Sequence, residues 1–304
     1  MINKNLYQEV LMTPVESGAT ELRIVSGYAS ASMAHRHLGE ELLQEKGVGV
    51  QLVYGMAGVD GVSLADDSMF AQLQGGHSFQ CHYRVGRPTI HSKVYVWLRE
   101  GQPVQAFVGS ANYTQRGFLA PVQQQESMTE ADPEQANDFF LESLRGSLEV
   151  GHEDIEQRVI LFSPRQSRTE TNDCVTLSLL NNRGNVPDRS GLNWGQRKGR
   201  NKNQAYLGVP KRIAETEFFP DRATQFTVLT DDGLSFIAVV AQDNDKAIET
   251  PDGNHILGEY FRRRLGVQLG SFVTRSDLDR YGRTNVEFCK LDNETFLMDF
   301  SVQS

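Results

Sequence analysis

The chain has 304 residues, 39% hydrophobic and 23% charged, with a formal net charge of −9. That length is too great for one average core and suits two domains of roughly 150 residues each, with the composition of an ordinary soluble globular protein. The acidic total argues against a nucleic-acid partner only until the chain is divided. Residues 1–165 carry 12 Lys+Arg against 20 Asp+Glu, whereas residues 166–304 carry 18 against 19. Within the second part, residues 183–212 hold eight basic residues and a single acid, Asp188. A phosphate backbone meets local charge, so the global sign is a poor guide.

In chain order, residues 4–13 read as a short helix and 19–27 as a buried strand ending in small residues. Residues 30–46 have near-helical apolar spacing and Ser30 as N-cap, and 48–54 form a second strand. A strand–helix–strand unit implies a largely parallel sheet covered by helices. Residues 58–76 read as a loop with a short helix and 78–83 as a strand, and Arg87-Pro88 interrupts the chain. Residues 93–99 and 104–108 read as neighbouring strands joined by a Gly- and Pro-containing turn. Asp132-Pro133 starts a helix over 132–148, and 159–162 is a last strand before a linker at 165–173. Beyond it, short β-rich runs at 174–180, 205–209, 225–229, 235–242, 286–291 and 295–300 alternate with turn residues. Helical pieces are expected at 255–265 and 276–281. Many short strands separated by turns indicate a barrel or sandwich.

The three cysteines, Cys81, Cys174 and Cys289, lie far apart with no C-x-x-C pair. This spacing speaks against a disulfide framework or a cysteine zinc site and fits a reducing compartment. Residues 1–18 contain neither the apolar core nor the cleavage site of a signal peptide. No window approaches the ~20 apolar residues of a membrane span. A cytoplasmic protein without a membrane partner is therefore expected.

Residues 91–126 carry the chemistry. In His91-Ser-Lys93 the side chains at i and i+2 share one face of a strand. They present a neutral imidazole as nucleophile and an ammonium to hold a phosphate oxygen. A phosphodiester anion is a poor electrophile, and donors clustered on its oxygens favour the charge-dense transition state. Ser110 and Asn112 end the next run and add hydroxyl and amide donors. Glu126 is placed to hold an imidazole in its useful tautomer. Lys and His do the electrostatic work, so neither metal nor cofactor is expected. A lone His-x-Lys arises often by chance, and Gly-Ser-Ala-Asn alone is an ordinary turn. Their order at successive strand ends is the specific feature. His77, Cys81 and His82 match no metal-ligand spacing.

His91-x-Lys93, then Gly109-Ser110-x-Asn112, Thr114, Gly117 and the later Glu126, resemble the signature of the phospholipase D superfamily. The resemblance implies a covalent phosphohistidine on one histidine while a second histidine protonates the leaving oxygen. The acid usually found five residues after the lysine is Leu98 here. Several nuclease branches also lack it, which favours nuclease over lipase and shifts weight to Glu126. One His-x-Lys occurs where the mechanism uses two. One-motif members solve this with a two-fold homodimer that builds a single site at its interface, and the same is implied here.

The second feature is the stretch 182–212. Its bland reading is a solvated basic loop. Against that stands the mixture: Arg and Lys contact phosphates, while Arg, Asn and Gln read base edges in the major groove. Trp194, one of two tryptophans, must pack or touch a partner. Residues 191–200 and 205–210, with 257–266 and 277–282, resemble the C-terminal domain of phospholipase-D-type restriction endonucleases, the NgoFVII/BfiI-like group. The resemblance implies a pseudobarrel similar to the plant B-three DNA-binding domain, with two arms that embrace the major groove. Asn193, Trp194, Gln196, Arg197, Arg200 and Asn201 are candidates for the first arm, and Asn244 and Lys246 for the second. Residues 262–264 either contact phosphate or form the wet face of a helix.

The expectation is thus an α/β phospholipase-D-like catalytic domain over 1–165, with a mixed, largely parallel sheet flanked by helices, and a mainly β recognition domain over 174–304. The chain would be a homodimeric, metal-independent type II restriction endonuclease acting on double-stranded DNA. A cognate DNA methyltransferase is implied, since unprotected host DNA would be cut, and some relatives work with a helicase-like ATPase subunit. The rivals are a phospholipase D-type lipid phosphodiesterase and a DNA-binding protein with a vestigial catalytic domain.

Overall fold

Both faces of the first sheet are buried, because its middle strands are near-continuous apolar runs rather than alternating ones. In the computed structural model this sheet comprises β1 (Glu21–Ser26), β2 (Gly49–Tyr54), β3 (Phe79–Arg84), β4 (Lys93–Arg99), β5 (Gln102–Gly109), β6 (Met128–Ala131) and β7 (Ser147–Glu149). The structure describes residues 1–119, 125–162, 174–222, 224–243, 245–251, 253–291 and 293–302. The strand order is β6-β5-β4-β1-β2-β3-β7. The sheet is mixed, as expected, with β1, β2 and β3 parallel and both flanks antiparallel. The parallel share is smaller than the strand–helix–strand reading implied, since β4, β5, β6 and β7 all join the sheet antiparallel.

Helices cover this sheet. Helix α1 (Ala31–Leu38) starts where the Ser30 side chain accepts from Met33 N. The single helix expected over 30–46 breaks at Gly39 and resumes at Glu41–Lys46, where Gly47 closes it in the left-handed region (φ 62°). The short helix expected within 58–76 is 13 residues long, α2 (Leu64–Gly76), capped by Ser63. Helix α3 (Pro133–Arg145) begins at Asp132, whose carboxylate accepts from Gln135 N at 2.8 Å. It ends at Gly146, earlier than expected, and the chain returns as edge strand β7. Ala136 and Phe140 of α3 pack with Val25, Val53, Val94, Val96 and Leu98. The N-terminal segment is π-wound over Tyr7–Met12, and Val10 O accepts from the buried Trp97 indole at 2.8 Å.

Contacts divide the chain into two units, Met1–Gln166 and Ser167–Ser304. The second contains β8 (Cys174–Ser178), β9 (Leu207–Gly208), β10 (Gln225–Thr230), β11 (Ser235–Ala241), β12 (Ala247–Glu249), β13 (Asn285–Lys290) and β14 (Thr295–Asp299). Their order, β8-β13-β14-β10-β11-β12-β9, places the first two strands of the unit at opposite ends of the sheet, where they approach each other. The result is a nearly closed, barrel-like sheet. Its core is aromatic: Phe218, Phe219, Phe226, Phe288 and Phe296 pack together with ring centroids 4.9–6.0 Å apart. Helices α4 (His255–Leu265) and α5 (Arg275–Tyr281) fill in beside it, the latter opened by a Thr274/Asp277 capping box.

The reading of the cysteines as unpaired does not hold. Cys174 and Cys289 face each other in the β8–β13 register and are joined by a disulfide. A separation of 115 residues hid the pair, because only strand pairing brings them together. Cys81 alone is a free, buried thiol. No helix among the described residues is long and apolar enough to cross a membrane.

Candidate functional site

Strand polarity gathers the candidate catalytic residues. Since β1 and β4 are antiparallel with Ser26 opposite Lys93, the end of one lies beside the start of the other. Strand β5 runs back alongside β4 and delivers Ser110 and Asn112 to the same end. There β6 begins, and Ser127 just before it returns hydrogen bonds to Ser110. Ser110 N donates to Ser127 O, and Ser127 N donates to Ser110 Oγ, each at 3.0 Å. Gly109 is required there, because a Cβ would collide with the Ser127 carbonyl. Gly55, after β2, similarly lies against the carbonyl of Ile90 and seats the turn that carries His91.

His91 and Ser92 are exposed, while Lys93 is buried, with 7% of its surface accessible. Lys93 Nζ donates to His91 O at 2.6 Å and lies 3.1 Å from His91 Nδ1. Burial lowers the Lys93 pKa from its ordinary value, and the charge of Glu126 opposes that fall. Glu126, itself 7% exposed, therefore belongs to the same electrostatic neighbourhood. Leu98 is fully buried in the apolar cluster that faces α3, so the position of the missing acid is a core position here.

Asn112 faces inward through its side-chain oxygen, which accepts from Tyr28 N at 3.0 Å and Ser26 Oγ at 3.4 Å. Ser26 Oγ in turn accepts from Tyr113 N at 2.9 Å. The helix Gln115–Leu119 follows, and the Thr114 hydroxyl accepts from Gly117 N at 3.1 Å.

Sequence reasoning missed Ser26 and Tyr28. The Tyr28 ring stands edge-on to His91 at 5.6 Å between centroids, and its hydroxyl donates to Asp60 at 2.6 Å. The available signal was the small-residue ending of β1, since a strand ending in Ser-Gly-Tyr leaves room for a neighbouring turn.

In the second unit the candidate arm residues separate into inner and outer groups. Asn193 is 1% exposed, and its amide is spent inside the unit. It donates to Pro187 O (3.1 Å) and Val273 O (2.8 Å) and accepts from Val273 N (2.9 Å). The expectation that Asn193 contacts DNA fails on that burial. Gln196 donates to Lys202 O (3.1 Å) and Gly270 O (3.0 Å). Trp194 is half-buried against Tyr206, and the Arg200 guanidinium lies 3.9 Å above its ring. Arg197, Arg200, Asn201 and Lys246 are exposed. Asn244 lies outside the described residues.

Neither expectation for residues 262–264 describes Arg262, which has no exposed surface. It donates to the carbonyls of Ser271 (2.9 Å), Gly258 (3.1 Å), Leu192 (3.2 Å) and Asn203 (3.4 Å). Arg264 forms a bidentate pair with Asp231 at 2.9 and 3.0 Å. Arg263 alone of the three is exposed.

The mixed α/β sheet with His-x-Lys at its exposed end, joined in sequence to a barrel-like β unit, defines a phospholipase-D-like domain followed by a B3-like one. The profile of the NgoFVII restriction endonuclease N-terminal PLD domain matches residues 4–157, and that of the NgoFVII C-terminal B3-like DNA-binding domain matches residues 167–292. The chain belongs to the NgoFVII restriction endonuclease family.

Similar solved structures include a polyphosphate kinase from Porphyromonas gingivalis (14% identity, TM-score 0.37), with 49% of this chain and 23% of that one covered. NucT from Helicobacter pylori (16%, TM-score 0.33) aligns over 48% and 95% of the respective chains. Nuc from Salmonella typhimurium, a phospholipase D family member (16%, TM-score 0.34), aligns over 46% and 87%. A comparison with curated proteins finds no match.

Proposed function

We propose that this chain is a type II restriction endonuclease that hydrolyses DNA phosphodiesters through a phosphohistidine, with residues 1–165 cutting and 174–304 recognising a short sequence. The observation that carries the reading is the pairing of an exposed imidazole with a buried ammonium, 3.1 Å apart, at the strand ends of the family's PLD domain. In this resting geometry the ammonium donates to Nδ1, so the neutral ring carries its proton on Nε2. That resting form serves neither role as it stands, since the general acid must take up a second proton and become an imidazolium. The nucleophile needs Nε2 bare and Nδ1 protonated. A phosphate oxygen entering the site would draw Lys93 off Nδ1, and Glu126 would then stabilise the Nδ1–H form and its developing charge.

Nε2 of one His91 attacks phosphorus and the P–O bond to the leaving strand breaks. The imidazolium of His91 in a second copy gives its proton to that oxygen. Water, deprotonated by the second imidazole, then displaces the first and restores both rings. Lys93 and the donors of Ser110 and Asn112 hold the phosphoryl oxygens, so no step requires a metal ion. A homodimer supplies the second histidine. We place the enzyme in the cytoplasm on the ground of its DNA substrate and a cognate methyltransferase beside it, since the Cys174–Cys289 bridge removes the cysteine argument for a reducing compartment. A helicase-like subunit is a further partner that the family resemblance raises.

The test is plasmid cleavage by the purified chain in excess EDTA. Discrete fragments whose ends share one sequence context are expected. Abolition of cutting by the chelator would sink the mechanism, and DNA binding with no nicking would leave only the recognition half.

A further inference from the structure

Two loops of the second unit, 191–204 and 268–273, are sewn into one body by buried polar groups. The Asn193 amide makes both hydrogen bonds to the Val273 backbone. Gly270 donates its N–H to Asn203 Oδ1 at 2.6 Å, and its carbonyl accepts from Gln196. Arg262 reaches carbonyls on both loops, Leu192 and Asn203 on one and Ser271 on the other. Each of these groups is satisfied only while both loops keep their places, so neither moves without the other.

This rigid body holds two large apolar side chains in water. Leu269 is 43% and Phe272 51% exposed. The first loop, tied to this one, exposes Arg197, Lys198, Arg200 and Lys202. Gly270 lies so close that a Cβ there would be 3.5 Å from Lys202 Cβ. An apolar pair on a preorganised loop, joined to a second loop that exposes four cations, is complementary to a polyanion that also offers apolar surface. Duplex DNA is such a partner. Its phosphates meet the cations, and its grooves present thymine methyls, sugars and base edges to leucine and phenylalanine. A cationic or neutral protein partner would gain nothing from those cations.

We propose that residues 268–273 form a DNA-contacting element additional to the two arms, with Phe272 and Leu269 pressed against the duplex beside phosphates held by Arg197, Lys198 and Lys202. This rests on the reading of the second unit as a DNA-recognition domain.

The experiment measures equilibrium binding of the full chain to a duplex selected from a randomised pool, across a salt series. Three variants accompany the wild type: Phe272→Ser, Phe272→Tyr and Lys198→Ala. Loss of an apolar contact is expected to weaken Phe272→Ser by about tenfold with an unchanged salt slope, while Phe272→Tyr binds like the wild type. Loss of a phosphate contact is expected to weaken Lys198→Ala and to lower the slope of log K against log salt by about one. If Lys198→Ala weakens but Phe272→Ser binds normally, the loop proposal is overturned and the arm reading stands. If Phe272→Ser and Phe272→Tyr weaken equally, contact area is not the cause and the proposal also falls. If the wild type selects no duplex at all, the recognition reading fails and takes this proposal with it.

Discussion

The strand-end site of the first unit and the arm of the second place side chains in opposite ways. His91, Lys93, Ser110 and Asn112 are positioned by sheet register, with few side-chain props: a close-packed glycine, a serine pair, one asparagine oxygen on a backbone N–H. The arm has almost no regular structure to lean on. Residues 191–204 contain only one 3₁₀ segment, Gly191–Gln196. Buried polar side chains therefore do there what strands do in the other unit, and Arg262 with four carbonyl acceptors is their hub. A site built on register tolerates loss of a side chain structurally and loses chemistry. A surface built on side-chain hydrogen bonds loses shape when one is removed.

The sharpest separation of the two comes from His91→Ala. In the proposed mechanism His91 is both nucleophile and acid, so its removal should lower cleavage by on the order of 10⁴-fold or more. DNA affinity and thermal stability should stay near wild type, because His91 is exposed and its turn is held by backbone packing. Equal loss of DNA binding, measured on the same preparation, would show that the two units are not functionally separate.

Arg262→Met should destabilise the second unit by about 3 kcal/mol, since it strands several buried carbonyls at once. Hydrogen exchange should localise the loosening to the backbone amides of Asn193, Gln204, Gly270 and Val273. Unchanged protection there would contradict the account of how the arm is held.

The first unit has a different weakness, to acid. His37 is fully buried beside Tyr113, and burial pushes its pKa down to about 4. Between that value and the ordinary 6.5, the unfolded chain binds a proton that the folded one refuses. Its contribution is therefore whole above pH 6.5 and is lost as pH falls towards 4, on the order of 3 kcal/mol in all. Denaturant titrations at several pH values should show a shallower pH slope for His37→Gln. Parallel slopes would mean that His37 is not the cause.

Arg263→Ala, by contrast, should change stability by less than about 0.5 kcal/mol, because its ion pair with Glu259 is exposed. A large effect at Arg263 beside a small one at Arg262 would invert the assignment of inner and outer arginines.

How much was legible in sequence follows the same division. That His91, Lys93, Ser110 and Asn112 lie at one end of the sheet was legible because they flank apolar runs, and a strand end fixes position within one or two residues. Tyr28 could not, since its link to Asn112 spans 84 residues and runs through a backbone N–H. In the arm, residue type was a poor guide. Asn193 and Arg262 have the chemistry of DNA contacts but lie inside, because a loop without regular structure must satisfy its carbonyls and amides with its own polar side chains. The Cys174–Cys289 bridge failed for another reason: strand order in a barrel-like sheet is not encoded in spacing.

The central claim, a covalent phosphohistidine on His91, is tested most directly by the stereochemistry at phosphorus. Cleavage of DNA carrying a single chiral phosphorothioate at the cut position, in oxygen-18 water, distinguishes one displacement from two. Retention of configuration is the predicted result, because histidine and then water each invert the centre. Inversion would mean that water attacks phosphorus directly, and would contradict the role assigned to His91.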